Sequence, residues 1–301
     1  MFVRIFATIG FLFTVICARN VDVVIVYTNN TNGILENCRC PARSYGALEK
    51  RAALIDSLRK SNPNVLLIDC GDILDIRPNS LLHSYIIKAY GIIRYDFWTP
   101  GDQDFIEGID YFRESLAAMP GQLVSANIRL DRQGIGRPWW IKEVAGIRIA
   151  VTGTLDPGVL QYLPDSIAGR ITIEPPEKAL EKILPAIRAD SDVIILLSHA
   201  GMDRDREIAT RFPEINLIFG GHSQTITEHP EMVGSTAILQ AGEGGNRVGM
   251  LQLRCEKGKI SSYHNTLHLL HRNERDDPKV LNLIAEYYRE RMKSMNRINT
   301  Q

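Results

Sequence analysis

Short apolar runs alternate with longer amphipathic stretches along most of this 301-residue chain. The segments Val21–Tyr27 and Val193–Leu197 are almost entirely apolar and rich in β-branched residues, which is typical of strands covered on both faces. The segment Gly46–Lys60 instead spaces its apolar residues three or four apart, as one buried face of a helix requires. This alternation predicts α/β architecture, of the α+β type because the later part of the chain is rich in strands.

The composition indicates how many domains the chain forms and which partners its charge favours. No linker rich in proline, glycine and serine divides the chain, so we predict one domain over residues 21–271 and a charged amphipathic helix over residues 276–296. Lysine plus arginine and aspartate plus glutamate are equal at 35 each, which gives a formal net charge of zero. Such a chain has no long-range attraction for nucleic acid or anionic lipid, and we expect no nucleic-acid partner.

The first 18 residues are typical of an export signal. Arg4 precedes the apolar run Ile5–Ala18, which is shorter than the roughly 20 residues that a membrane-spanning helix needs. The small residue Ala18 suits a cleavage site. We therefore predict a signal peptide over residues 1–18 and a periplasmic, cell-envelope or secreted protein. An uncleaved anchor is the alternative, and it would be the only contact with a membrane.

The cysteines left after such a cleavage are even in number, as expected in an oxidising compartment. Cys38 and Cys40 form a C-R-C sequence in a loop, where a direct bond between them would be strained. Either could reach Cys70 instead, so a disulfide staple among these three is possible; a redox pair and a metal clip are the other interpretations. Cys255 is interpreted as a small buried hydrophobic residue.

Clusters of polar residues and glycine follow several of the predicted strands. In open α/β sheets ligands bind beyond the carboxyl ends of the strands, and Asp and His there are natural ligands for Mn, Fe or Zn. The clusters read T-N-N-T-N-G (28–33), D-C-G-D (69–72), G-D-Q-D (101–104), S-H-A-G (198–201) and G-G-H-S-Q (220–224).

These five loops, in this order, resemble those of the calcineurin-like metallophosphoesterases, and specifically the secreted 5′-nucleotidase branch. Members of that branch typically read TNDTHG, GD, GNHEFD, SHxG and GGHSH at these places. The resemblance covers about residues 21 to 254. It implies a metallo-dependent phosphatase-like fold, a four-layer sandwich of two mixed β-sheets flanked by helices. It also implies a site for two divalent ions about 3.5–4 Å apart that clamp a phosphate.

The ligands that the resemblance implies for one of the two ions are present. They are the bridging Asp72, the histidines His199 and His222, and Asp102 where the family has asparagine. The two carboxylates balance the charge of one divalent cation, so we predict one bound ion, Mn, Zn or Fe.

The ligands implied for the other ion are replaced by amides, at Asn30, Asn32 and Gln224. An amide oxygen is a neutral, weak donor beside a carboxylate or an imidazole, so these are degraded metal positions and a second ion is not expected.

A further departure concerns catalysis. Gln103 stands at the position of the family's GNHE histidine and cannot supply a proton at neutral pH, and Asp104 replaces the following glutamate. Two hypotheses follow. The first is a one-metal hydrolase of phosphate esters with a small phosphorylated ligand. The second is a catalytically inactive member of the family with a binding or scaffolding role in the cell envelope.

Overall fold

The computed structural model describes residues 21–36, 45–256 and 258–299. The strands are β1 (Val21–Thr28), β2 (Val65–Asp69), β3 (Phe97–Trp98), β4 (Gln122–Leu123), β5 (Ile128–Leu130), β6 (Gln133–Gly134), β7 (Trp139–Val144), β8 (Ile147–Leu155), β9 (Ile171–Ile173), β10 (Val193–His199), β11 (Leu217–Gly220), β12 (Glu231–Val233), β13 (Thr236–Leu239), β14 (Arg247–Glu256) and β15 (Lys259–Leu269). The α-helices are α1 (Leu48–Ser61), α2 (Ser80–Ile93), α3 (Ile109–Tyr111), α4 (Asp165–Ala168), α5 (Pro176–Asp190), α6 (Met202–Arg211) and α7 (Pro278–Asn299).

Two six-stranded mixed sheets form the centre of the described part of the chain. The first has the order β15-β14-β1-β2-β3-β4 and the second the order β12-β13-β11-β10-β8-β7. In the first sheet β1 to β4 are parallel, whereas β14 and β15 run antiparallel to their neighbours. In the second, β8, β10, β11 and β13 are parallel and the edge strands β7 and β12 are antiparallel.

The side chains of β1 explain why the two sheets stack. Because successive residues of a strand point to opposite faces, Val23, Ile25 and Tyr27 enter the core between the sheets. Val24 and Val26 enter the second core instead, against the helices that cover the outer face. A strand with both faces buried must be apolar at almost every position, which is the pattern that the sequence shows.

Helices cover the outer face of each sheet. Buried residues of α1, α2 and α7 pack against the first sheet, and those of α5 and α6 pack against the second. The predicted four-layer sandwich of two mixed sheets flanked by helices is therefore confirmed. Among the described residues, no helix is long and apolar enough to cross a membrane.

A small third sheet, with the order β6-β5-β9, was not expected from the sequence. Its strands are two or three residues long, too short for a two-residue period to be visible. The residues of the proposed signal peptide, 1–18, lie outside the described part.

Candidate metal centre

Four side chains from four different loops converge at the carboxyl ends of the strands. Asp72 follows β2, Asp102 follows β3, His199 ends β10 and His222 follows β11. One potential ligand atom from each lies within 4.8 Å of the others. Because these strands are parallel within each sheet, the loops that follow them lie at one edge. Asp72 and His222 therefore meet although they are 150 positions apart in the sequence.

The imidazole of His199 is oriented for a cation. Its Nδ1 lies 2.6 Å from the carbonyl oxygen of Cys70, which can only accept, so Nδ1 carries the hydrogen. The other nitrogen, Nε2, then presents a lone pair 3.3 Å from a carboxylate oxygen of Asp72 and 3.3 Å from one of Asp102. It is buried and has no hydrogen-bond partner among the described residues. A lone pair facing two carboxylates is stable only with a positive charge between them, either a proton or a metal ion.

The charges of the cluster perturb one another strongly. Burial opposes protonation of His199, but the nearby carboxylate of Asp72, with Asp102, raises the pKa of His199 well above its ordinary value. Burial likewise opposes ionisation of Asp102, but its contacts with His199 and His222 hold the pKa of Asp102 well below the usual range. His222 places Nδ1 3.2 Å from Asp102 and is the most exposed of the four, at 31%. Two carboxylates and two imidazoles are a donor set that fits one Mn, Fe or Zn ion.

Asn30, one of the amides at the other ion's positions, acts as a hydrogen-bond donor. The backbone N–H of His222 lies 3.1 Å from its Oδ1 and can only donate, which fixes the orientation of the amide. Asn29 donates to the same oxygen at 2.9 Å. The NH₂ group of Asn30 therefore faces Asp72 and donates to Oδ2 at 2.8 Å. A cation bound to that oxygen would have to displace this donor.

Gln103 donates to the same carboxylate oxygen from another side. Its Nε2 lies 3.0 Å from Asp72 Oδ2 and 3.4 Å from Asn32 Oδ1. Together with Asn30 it supplies two N–H donors where the second ion would need a free lone pair. Gln224 lies half-buried two residues beyond His222. These residues therefore do not fit a second ion, whereas the four-residue cluster fits one.

The loops of the centre have an unusual backbone. Residues with a side chain seldom adopt positive φ, and each such residue costs roughly 1–2 kcal/mol, less for Asn and Asp. Five of them occur at this one place: Asn30 (φ 48°), Asn32 (50°), Asp72 (56°), His222 (68°) and Gln224 (55°). Backbone strain concentrated at one edge of a sheet is typical of a binding or catalytic site.

Asp104, which the sequence marked only as a replacement, shapes the turn that carries Asp72. Its buried carboxylate accepts backbone N–H groups at 2.8–3.1 Å. The donors belong to Gly101, Asp72, Ile73 and Leu74. One side chain thus fixes both loops that supply the acidic members of the cluster.

A buried arginine behind the centre was also missed. Arg51 on α1 is 0% exposed and binds groups from three separate segments. It donates to Thr31 Oγ1 at 3.0 Å, to the hydroxyls of Tyr90 and Tyr95 at 3.1 Å each, and to the carbonyl of Gly245 at 3.2 Å. Arg51 therefore ties the loop of Asn30 to the loop that precedes β14.

The anionic end of this network is Asp69, the last residue of β2. Asp69 accepts from the hydroxyls of Thr28 and Tyr90 at 2.5 and 3.2 Å and from the N–H of Gly71 at 3.0 Å. Burial raises the pKa of Asp69 to about 6, although these hydrogen bonds and the charge of Arg51 oppose the rise. The hydroxyl groups thus connect a buried cation and a buried anion directly beneath the Asp72 turn.

The cysteines of the chain differ in what the structure describes of them. Cys70 and Cys255 are buried and form no disulfide with another described residue, and Cys255 is buried as expected, in the core between the sheets. Cys38 and Cys40 lie outside the described residues. A staple involving Cys38, Cys40 and Cys70 therefore stays a prediction.

The sequence model of the calcineurin-like phosphoesterases matches residues 33–225, which is well over half of the chain. The chain belongs to this family. The calcineurin-like phosphoesterases are metal-dependent, and the predicted relationship to their 5′-nucleotidase branch is confirmed by the curated relatives.

Among these relatives is Protein 5NUC of Lutzomyia longipalpis, 24% identical over 91% of this chain and 54% of the relative. The 5′-nucleotidase of Homo sapiens is 23% identical over 86% of this chain and 51% of its own length. The chain thus spans about half the length of most of the curated relatives it matches.

Solved structures share the fold. The sulfate thiohydrolase SoxB of Thermus thermophilus, in complex with glycerol, superposes with a TM-score of 0.81 at 19% identity, over 90% of this chain and 61% of SoxB. The 5′-nucleotidase precursor of the same organism gives 0.77 at 22% identity, over 91% of this chain and 60% of the precursor.

Proposed function

We propose that this calcineurin-like phosphoesterase binds a single divalent cation at Asp72, Asp102, His199 and His222, and that the second ion of the family is replaced by amide hydrogen bonds. The observation that carries the proposal is the contrast between two atoms. The buried Nε2 of His199 faces two carboxylates and has no hydrogen-bond partner in the described ranges. Asp72 Oδ2, in contrast, already accepts from Asn30 and Gln103.

The reaction that best suits this centre is metal-dependent hydrolysis of a small phosphate ester. When bound, a divalent cation supplies Lewis acidity, which polarises a phosphoryl oxygen and lowers the pKa of a coordinated water. The chain's own residues set the geometry: Cys70 fixes the tautomer of His199, and Asp104 fixes the turn of Asp72. Gln103 holds Asp72 but donates no proton to a leaving group, so activity should be weak or confined to esters with good leaving groups.

The substrate proposal stops at the class of phosphate esters. Several relatives are named 5′-nucleotidases, but this chain spans about half of their length, so nucleotide specificity is not transferred. Export remains part of the proposal and rests on the apolar segment Ile5–Ala18.

One bound ion per chain is the expected metal content of the purified protein. His199→Ala removes the nitrogen that faces both carboxylates, so we expect it to abolish both metal binding and hydrolysis of p-nitrophenyl phosphate. His229→Ala, at an exposed histidine, is the matched control and should change neither. Elemental analysis alongside the turnover assay gives both readouts. A wild-type protein that binds no metal would contradict the proposal.

The second candidate is a catalytically inactive protein that keeps the fold for binding or scaffolding. It is favoured by Gln103 at the family's histidine position and by the amides that occupy Asp72 Oδ2. The same experiment separates the two functions. One bound ion with no turnover supports the binding role, whereas turnover that His199→Ala abolishes supports the hydrolase.

Substitutions that restore the family's ligands should restore binding of a second ion. In the variant Asn30→Asp, Asn32→His, Gln103→His, Gln224→His we expect two ions per chain instead of one. Asn30→Asp alone would place a second carboxylate where an N–H donor now lies 2.8 Å from Asp72, so the full variant should unfold more easily in chelator and recover when Mn²⁺ is added. Gln103→His alone is the control and should remain at one ion. A full variant that stays at one ion contradicts the assignment of the amide positions.

A further inference from the structure

A cavity of about 590 Å³ opens beside β3, β4 and β7, away from the four residues of the metal cluster. Its lining includes the first residues of β3 and β4 and two residues of β7, whereas the metal cluster lies where β2, β3 and β10 end. Its wall includes Arg59, Arg94, Asp96, Trp140 and Lys142, together with residues 120–122. None of the four residues of the metal cluster lines it, so the two sites are separate.

The charges around this cavity do not balance. Three cationic groups, Arg59, Arg94 and Lys142, surround one carboxylate, Asp96, which leaves an excess of two positive charges. Lys142 Nζ lies 2.5 Å from Asp96, and the guanidinium of Arg59 lies 3.8 Å from it. Arg94 forms no ion pair with any residue in the part of the chain that the structure describes. The cavity therefore has an unpaired guanidinium available to an anion.

Arg94 also has an unusual backbone conformation for an arginine. Arg94 is the C-cap of α2 and has φ 60°, a left-handed conformation that glycine adopts at the ends of helices without strain. An arginine here carries backbone strain, and no ion pair within the described residues offsets it. A ligand that binds the guanidinium would supply such compensation.

The cavity also has a flat apolar wall. Trp140 on β7 is half-buried, and the guanidinium of Arg137 lies 4.0 Å from its ring centroid, so that one face of the indole is covered. The buried residues Tyr95 and Phe97 also line the cavity. A guanidinium binds carboxylates and phosphates through two parallel hydrogen bonds, and an aromatic wall favours a planar apolar group.

We infer that this cavity is a second, metal-independent ligand site for a small anion attached to a flat apolar group, of the aryl carboxylate or aryl phosphate type. Arg94 binds the anionic group, and Trp140 packs against the planar part. This site goes beyond the proposed hydrolase and does not depend on it.

Isothermal titration of the full chain in chelator, so that the metal cluster does not compete, tests the inference. The probes are benzoate and phenyl phosphate, with acetate and inorganic phosphate as matched anions that lack the ring. We expect saturable binding of at least one aryl probe, weakened at least tenfold by Arg94→Gly. Glycine suits the left-handed backbone, so this variant should fold at least as well as the wild type.

Arg132→Gly is the matched control, because Arg132 is an exposed arginine with φ 70° that does not line the cavity. It removes the same charge and relieves the same backbone conformation, and it should leave binding unchanged. Binding of one aryl probe alone identifies the anionic group. The inference is overturned if neither aryl probe saturates below about 10 mM, a weak affinity even for a small ligand, if the ring-free anions bind equally well, or if the two variants behave alike.

Discussion

Arg51→Met is expected to lower the free energy of unfolding by about 3–5 kcal/mol, since removing one partner of a buried charge network leaves the other charge uncompensated. Arg51 is fully buried, and its four hydrogen bonds reach Thr31, Tyr90, Tyr95 and Gly245. Methionine fills a similar volume, so the loss comes from the charge and the donors rather than from a cavity. Urea denaturation followed by circular dichroism provides the measurement.

The effect of Arg51→Met should depend on pH with a defined sign. Burial already raises the pKa of Asp69 to about 6, and loss of the arginine raises it further. A protonated Asp69 needs no countercharge, so the difference in stability between variant and wild type should be smaller at pH 5 than at pH 8. Lys60→Met, at an exposed position of the same helix, should leave stability nearly unchanged. An equal loss at both pH values would contradict the coupling to Asp69.

Gly221→Ala is expected to weaken divalent-cation binding roughly 10–100-fold, the usual effect of disturbing a group that orients a metal ligand. A Cβ atom at position 221 would lie 2.6 Å from His199 Nδ1 and 2.7 Å from the carbonyl oxygen of Cys70. It would thus enter the hydrogen bond that fixes the tautomer of His199. The φ angle of Gly221 is not in the left-handed region, so the effect is steric and does not come from backbone strain.

Gly134→Ala is the control for this experiment. A Cβ atom at position 134 meets nothing within 4 Å, and its φ angle is also outside the left-handed region. Calorimetric titration with Mn²⁺ or Zn²⁺ measures both variants against the wild type. Unchanged affinity in Gly221→Ala would show that the His199–Cys70 hydrogen bond is not needed to orient the imidazole.

The sequence predicted the features that depend on local pattern. Val21–Tyr27 is apolar at nearly every position because both faces of β1 are buried, and this can be seen in a single strand. The loops after β2, β3, β10 and β11 could be assigned to one edge because parallel strands end together. The choice of Asp72, Asp102, His199 and His222 as one ligand set came from the resemblance of the five loops to those of the calcineurin-like metallophosphoesterases, and the parallel strands explain why these residues meet.

Features that depend on distant partners could not be predicted. The donor role of Asn30 is set by the backbone N–H of His222, 192 residues further along the chain. Arg51 gave one local signal, because it lies at helical spacing between Leu48 and Ile55 on the apolar face of α1. A charged residue on such a face must have buried partners, but the sequence does not show that these are Thr31, Tyr90 and Tyr95.

The left-handed backbone of the loops at the candidate metal centre affects the lifetime of the folded protein. Five residues held at positive φ strain the backbone at this edge of the sandwich and lower the stability of the native state there. A cation bound at the proposed centre would stabilise the native state by RT ln(1 + [M]/Kd), about 2.7 kcal/mol at a hundredfold excess over Kd. The supply of a divalent metal would then affect how fast proteases degrade the protein, in addition to any chemistry at the centre.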